Sequence, residues 1–198
     1  EAIRLRDEIL DRLERGAICT DPKRRRQLLS FVVVGGGPAG VEIAGALGEM
    51  KKYVIPREYP ELMPEEVSIK LVEGNSSLLA AMGAKAGQKA LQYLHELQCD
   101  VELGTSVKDY SEDKILTFGD GSKEYCETVV WTAGVRGEPM PGFDPSVTEH
   151  NGRIRIDEMM RVEGMTDVYA IGDIAELRCD DYPSGHPQVA QVAQQMGR

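Results

Sequence analysis

Gly35, Gly37 and Gly40 stand in the spacing GxGxxG inside FVVVGGGPAGVE, residues 31–42, with Gly36 between the first two. Glycine at the first place permits a tight turn from strand into helix. At the second it lets the backbone approach a diphosphate, and at the third it lets helix and strand pack closely. A helix opening at Pro38 would aim unpaired N–H groups and the positive end of its dipole at the same phosphates. Gly35, Gly36, Gly37, Pro38, Ala39, Gly40 and Val41 are therefore the candidate cradle of a dinucleotide.

A carboxylate at the end of the next strand would complete such a site by accepting hydrogen bonds from the adenosine ribose. Glu73 ends the next strand-like run, 33 positions past Gly40, or 19 once the proline-rich stretch 53–66 is set aside; the usual separation is about 20. A carboxylate there repels a 2′-phosphate by roughly 4 kcal/mol per charge pair at about 4 Å and an effective dielectric of about 20. No arginine follows Glu73 before Arg136 to offset that. The residues favour NAD(H) over NADP(H).

Other reactive side chains are scattered. Cys19, Cys99, Cys126 and Cys179 form no CxxC or CxxxxC pair, which argues against a disulfide scaffold, a redox-active thiol pair and a zinc site, and for reduced cytosolic thiols. His95, His150 and His186 have no metal-ligand or serine–carboxylate context, so neither a metal site nor a catalytic histidine is assigned. The run Lys23–Arg26 reads as a solvated helix face rather than an anion site, and a net charge of −10 argues against a nucleic-acid partner. No apolar run reaches the ~18 residues of a membrane helix, and nothing resembles a signal peptide.

These residues need a scaffold. Helices are predicted over 2–15 (Ile3, Ile9, Leu10 and Leu13 inward, Gly16 as the stop), 22–29 behind a Thr20–Asp21 cap, 38–52, and 85–98 with Leu91, Leu94 and Leu97 inward. Core strands are predicted over 31–34, 67–73, 101–103 and 129–131, and the prolines at 56, 60 and 64 mark 53–66 as an irregular excursion. Three short strands over 106–109, 114–118 and 123–127, with Asp120–Gly121 as the hairpin, form an antiparallel meander. The fold class is α/β: a Rossmann-like, doubly wound parallel sheet with an inserted three-stranded meander. After Val135 the elements are too few to bury an apolar face of their own.

The meander followed by VVWTAGVRG (129–137) and later by VYAIGDIAE (168–176) resembles the flavoproteins built from two dinucleotide-binding domains. Over essentially the whole chain the resemblance is to the type II NADH dehydrogenases (NADH:quinone oxidoreductases). It implies connecting helices over 1–29, an NADH-binding domain over 30–135 and a return segment of a split FAD-binding domain over 136–198. By resemblance, Gly35–Glu42 and Glu73 hold NADH, with Val107 near the adenine, Gly134 near the nicotinamide half, and Glu42 at the nicotinamide–flavin junction. Asp173 matches an aspartate that holds FAD. Gln195 and Gly197 match the family's flavin- and quinone-side helix AxxQQG, with Met196 in place of its second glutamine.

The same resemblance implies that this is the middle of a longer enzyme, which passes hydride from NADH to FAD and electrons on to a quinone. FAD-binding residues would precede Glu1, and amphipathic helices seating the enzyme on the inner, cytoplasmic face of the cell membrane would follow Arg198. The incomplete FAD-domain segment would offer a homodimer surface. A ferredoxin- or rubredoxin-type NADH reductase is the alternative on the same scaffold, and in isolation the chain would act as a non-catalytic NAD(H)-binding module.

Overall fold

The computed structural model describes residues 2–138, 141–180, 182–183 and 185–198; Glu1, the first residue of the expected connecting segment 1–29, lies outside them. The chain divides into two compact units, Glu1–Ala133 and Gly134–Arg198.

The first unit is built on a parallel sheet of β1 (Ser30–Val34), β2 (Ser68–Glu73), β3 (Asp100–Leu103) and β7 (Thr128–Trp131), in the order β3-β2-β1-β7. β1 is bonded on both sides, with Val34 opposite Val72 and Trp131. Its side chains alternate between two buried faces, which is why the run is apolar throughout. Phe31 and Val33 join a core with Ala44, Leu47, Leu94 and Leu97, from α3 (Pro38–Glu49) and from α5 (Ala84–Glu96) with the turn that follows it. Val32 and Val34 face the other way, onto Leu116, Phe118 and Cys126. Those come from the antiparallel sheet of β4 (Val107–Tyr110), β5 (Ile115–Phe118) and β6 (Lys123–Tyr125) and from the turn after it. The expected meander is thus the cover of the sheet's second face.

Three local expectations are corrected. The first helix, α1 (Ala2–Ile18), runs through Gly16 rather than stopping there. A Cβ at Gly16 would lie 2.6 Å from Leu29, so that glycine serves close packing. Only Leu5, Ile9, Leu13 and Ala17 of α1 reach the core, a stripe of four-residue steps, while Ile3 is 67% and Leu10 37% exposed.

The stretch from residue 53 is also more regular than its prolines suggest. α3 passes through a π-turn at Met50–Val54 into α4 (Ile55–Glu58). In the wider turn the Ile55 N–H donates to Met50 O, five residues back. Pro56, which has no N–H and would crowd the carbonyl four residues earlier, follows this local widening of the ladder. The basic run, finally, is not simply solvated. It lies on α2 (Pro22–Leu28), where Asp21 caps the Lys23 N–H at 3.0 Å. Arg24 reaches Glu127 at 2.6 Å and Arg25 reaches Glu66 at 2.8 Å, tying α2 to distant parts of the unit.

The second unit holds a two-stranded parallel pair, β8 (Ile154–Arg155) and β9 (Ala175–Glu176), and α6 (Ala190–Met196). Contrary to expectation it buries a core of its own: Val147, Ile154, Ile156, Val162, Ala170 and Ala175, with Met196 packed against it. Beside this core lie the buried Arg153 and Glu176, 3.8 Å apart. The Arg153 guanidinium donates to the carbonyls of Ala175 and His186 and the Glu176 carboxylate accepts from Asn151 and Arg178, so neither charge is left unpartnered.

Candidate nucleotide site

In the first unit the chain leaves β1 for α3, moving toward β2 and β3, whereas β7 lies on the other side of β1. The carboxyl ends of β1 and β7 therefore flank the point where strand order reverses, the usual ligand crevice of such sheets. The GxGxxG loop sits there. Gly35 has φ +108°, a conformation side chains rarely adopt, and a Cβ on it would stand 2.8 Å from the Ala133 nitrogen. Gly40 in the first turn of α3 is packed against β1, where a Cβ would meet Gly35 O at 1.8 Å.

Gly37 differs from both. Its backbone is ordinary extended chain (φ −73°, ψ −178°), and a Cβ there would meet no atom within 4 Å. Nothing among the described residues requires glycine at that place. As the N-cap of α3 it supplies no capping side chain, so the helix's first N–H groups are free to take an anion. Pro38 and Ala39 are exposed beside it, and Val41 packs toward the core.

Glu73 lies at the end of β2 against this loop. Its Oε2 accepts from the Gly36 N–H at 2.5 Å, and its Oε1 accepts from the Asn75 backbone N–H at 2.7 Å and side-chain Nδ2 at 2.6 Å. Gly36 must be bare because a Cβ would stand 3.0 Å from the Glu73 side chain and 2.6 Å from Leu78. Two contributors escaped sequence reading. Thr132, just past β7, donates its hydroxyl to Val34 O at 2.8 Å and so ties the ends of β1 and β7 together. Asn75 is the other. Both look like turn residues in sequence; Thr132 is singled out by a carbonyl 98 positions away, and Asn75 by the direction in which the Glu73 carboxylate turns.

The remaining candidates are dispersed. Glu42 is exposed one turn into α3 and makes no hydrogen bond or ion pair among the described residues. Val107 opens β4 and packs on the meander core, close in chain to Thr105, whose N–H donates to Glu73 O at 3.0 Å. In the second unit Gly134 takes φ +81° in open surroundings. Asp173, exposed on a single 3-10 turn, lines a cavity of about 490 Å³ with Arg136, Phe143, Ile154, Tyr169 and Ile171. Gln195 is exposed on α6, while Met196 turns inward and its Sδ accepts from the Gly172 N–H at 3.3 Å. The four cysteines are free, and no cluster of metal-binding side chains is found among the described residues. Among those residues no helix is long and apolar enough to cross a membrane.

A profile of the pyridine nucleotide-disulphide oxidoreductases matches residues 8–197. The chain belongs to that family. Among its curated relatives, the type II NADH:quinone oxidoreductase Ndh of Mycobacterium tuberculosis is 31% identical over 98% of this chain and 42% of its own length. The NdhA enzyme of the same organism is 32% identical over 100% of this chain and 43% of its own. The chain thus spans less than half the length of these relatives. Within the pyridine nucleotide-disulphide oxidoreductase family it also shares its fold with NDH2 from Plasmodium falciparum solved in complex with NADH (TM-score 0.77, 22% identity, 89% of this chain and 38% of the other).

Proposed function

We propose that the chain is the NADH-binding portion of an FAD-dependent NADH:quinone oxidoreductase, with residues 30–135 as the NADH domain and 136–198 as part of the FAD domain. The observation that carries this reading is the contrast within the glycine loop. Gly35 and Gly40 are required by the fold, whereas Gly37 is bare toward open space at an uncapped helix start. A diphosphate close to the backbone gives that glycine a reason. The residues present fit NAD(H): Gly37 and the first turn of α3 would hold the diphosphate, and Glu73 the adenosine ribose. The Glu73 charge works against a 2′-phosphate. Val107 would lie toward the adenine and Gly134 toward the nicotinamide half.

For FAD the fit is partial. Asp173 and its apolar-lined cavity supply one wall, and the sequence has a single GxGxxG loop. FAD held there would supply the capacity for hydride acceptance and onward electron transfer. This chain's own residues hold and orient the nucleotide, with Glu42 facing the nicotinamide end and Gln195 the flavin and quinone side. No protein thiol is needed, in keeping with four free cysteines. A quinone is lipid-soluble, so the reading places the whole protein peripherally at the inner face of the cell membrane. Exposed Tyr169, Ile171 and Val189 support self-association through the second unit.

The test is calorimetric titration of the chain with NADH and NADPH, repeated on Glu73→Arg. Wild type should prefer NADH and the variant should lose or invert the preference; wild-type preference for NADPH overturns the reading. Quinone reduction by the whole protein, assayed with menadione, tests the acceptor.

A further inference from the structure

The Glu73 carboxylate is held before any nucleotide arrives. A carboxylate offers about four acceptor positions. Three are taken here, two on Oε1 by Asn75 and one on Oε2 by the Gly36 N–H. One position remains, on Oε2, the oxygen beside the glycine loop. We infer that Asn75 is a positioning residue: its side chain fixes the rotamer of Glu73, so that the carboxylate presents that one oxygen to a single ribose hydroxyl and keeps its charge where a 2′-phosphate would have to sit. This deepens the proposed NADH reading and rests on it.

The surroundings separate this role from a structural one. The loop backbone is anchored independently of the Asn75 amide, since Asn75 O accepts from the Gly104 N–H at 2.9 Å and Glu73 O from the Thr105 N–H at 3.0 Å. Removing the side chain should leave the turn in place and loosen only the carboxylate, which loses one of its three bonds and keeps those from the Gly36 and Asn75 N–H groups. The same chain shows a shorter equivalent: Ser122 donates both its N–H, at 2.8 Å, and its hydroxyl, at 2.7 Å, to one oxygen of Asp120 two residues earlier. A serine at position 75 can therefore supply the missing donor.

The experiment is isothermal titration of the chain, its Asn75→Ala and Asn75→Ser forms and Glu73→Gln, each with NADH and with NADPH, after thermal melts show all four folded. A hydrogen bond to a charged group is worth about one power of ten in affinity. Asn75→Ala should bind NADH about tenfold more weakly and NADPH no more weakly than wild type, narrowing discrimination about tenfold. Asn75→Ser should restore most of the difference. If Glu73→Gln weakens NADH binding while Asn75→Ala changes neither nucleotide, or weakens both equally, the positioning role is overturned and the NADH site stands. If wild type binds neither nucleotide, both are overturned.

Discussion

Gly37 and Gly40, three residues apart in one loop, should respond to the same substitution in opposite ways. Gly40→Ala places a methyl 1.8 Å from Gly35 O and 2.8 Å from the Thr132 hydroxyl, against backbone that cannot rotate away. The strand and helix must separate by more than an ångström, at a cost of about 3 kcal/mol or more. For a domain of this size that lowers Tm by roughly 6–12 °C. Gly37→Ala adds a methyl to open space at an allowed backbone conformation. The weaker N-cap and the smaller unfolded-state entropy, each about 0.5–1 kcal/mol, oppose one another, so stability should hardly move. The methyl would, however, hold a diphosphate off the helix's first N–H groups. Losing one or two charge-assisted bonds of about 1.5–3 kcal/mol each lowers affinity at least tenfold. Circular-dichroism melts and NADH fluorescence titrations on both variants separate the effects. A stable Gly40→Ala would refute the close-packing account, and wild-type NADH affinity in Gly37→Ala would refute the phosphate cradle.

Three further outcomes are expected. Burial alone would raise the Glu127 carboxyl, but hydrogen bonds from Arg24 and Tyr125, with Lys114 nearby, outweigh it and hold the group below its usual value; its stabilisation is present above the ordinary glutamate range and lost as pH falls through the lowered folded value. Glu127→Gln should cost about 2–3 kcal/mol near neutrality and flatten the acid side of the pH–stability curve measured by urea unfolding, and an unchanged acid limb would refute this. Burial pushes the Cys99 and Cys126 thiols up to about 11, so Ellman's reagent should modify exposed Cys179 first and those two only on unfolding. Arg153→Met leaves the buried Glu176 carboxylate with Asn151 and Arg178 alone and should cost about 3 kcal/mol, read as loss of protease resistance within residues 134–198.

Much of this molecule is legible in its sequence because the signals are local. A β-branched run entering GxGxxG, an Asp–Gly between two short strand-like segments and leucines at helical spacing each state their own geometry. The parallel sheet and the meander could be assembled from them. What escaped depends on distant neighbours. Gly16 reads as a helix stop unless Leu29 is known to lie against it, and Arg24 and Arg25 read as solvated until Glu127 and Glu66 arrive from elsewhere in the chain. Pro56 reads as a breaker because a π-turn has no simple composition to announce it. For the candidate site, spacing alone singled out the glycines and Glu73. It could not single out Asn75 and Thr132: the Thr132 hydroxyl bonds a backbone carbonyl 98 positions away, and the Asn75 amide matters only once Glu73 is seen to turn its carboxylate back onto it.

The double pairing of β1 has a kinetic consequence. A central strand hydrogen-bonded on both sides and buried on both faces opens only with the whole unit. Its amides should be the last to exchange with deuterium, while those of β3, at the sheet edge, exchange earlier. The glycine loop leaves this slowest strand directly, and Thr132 moors the end of β7 to it. A nucleotide held by the loop, as proposed, would therefore come and go many times within one opening of the segment that carries it.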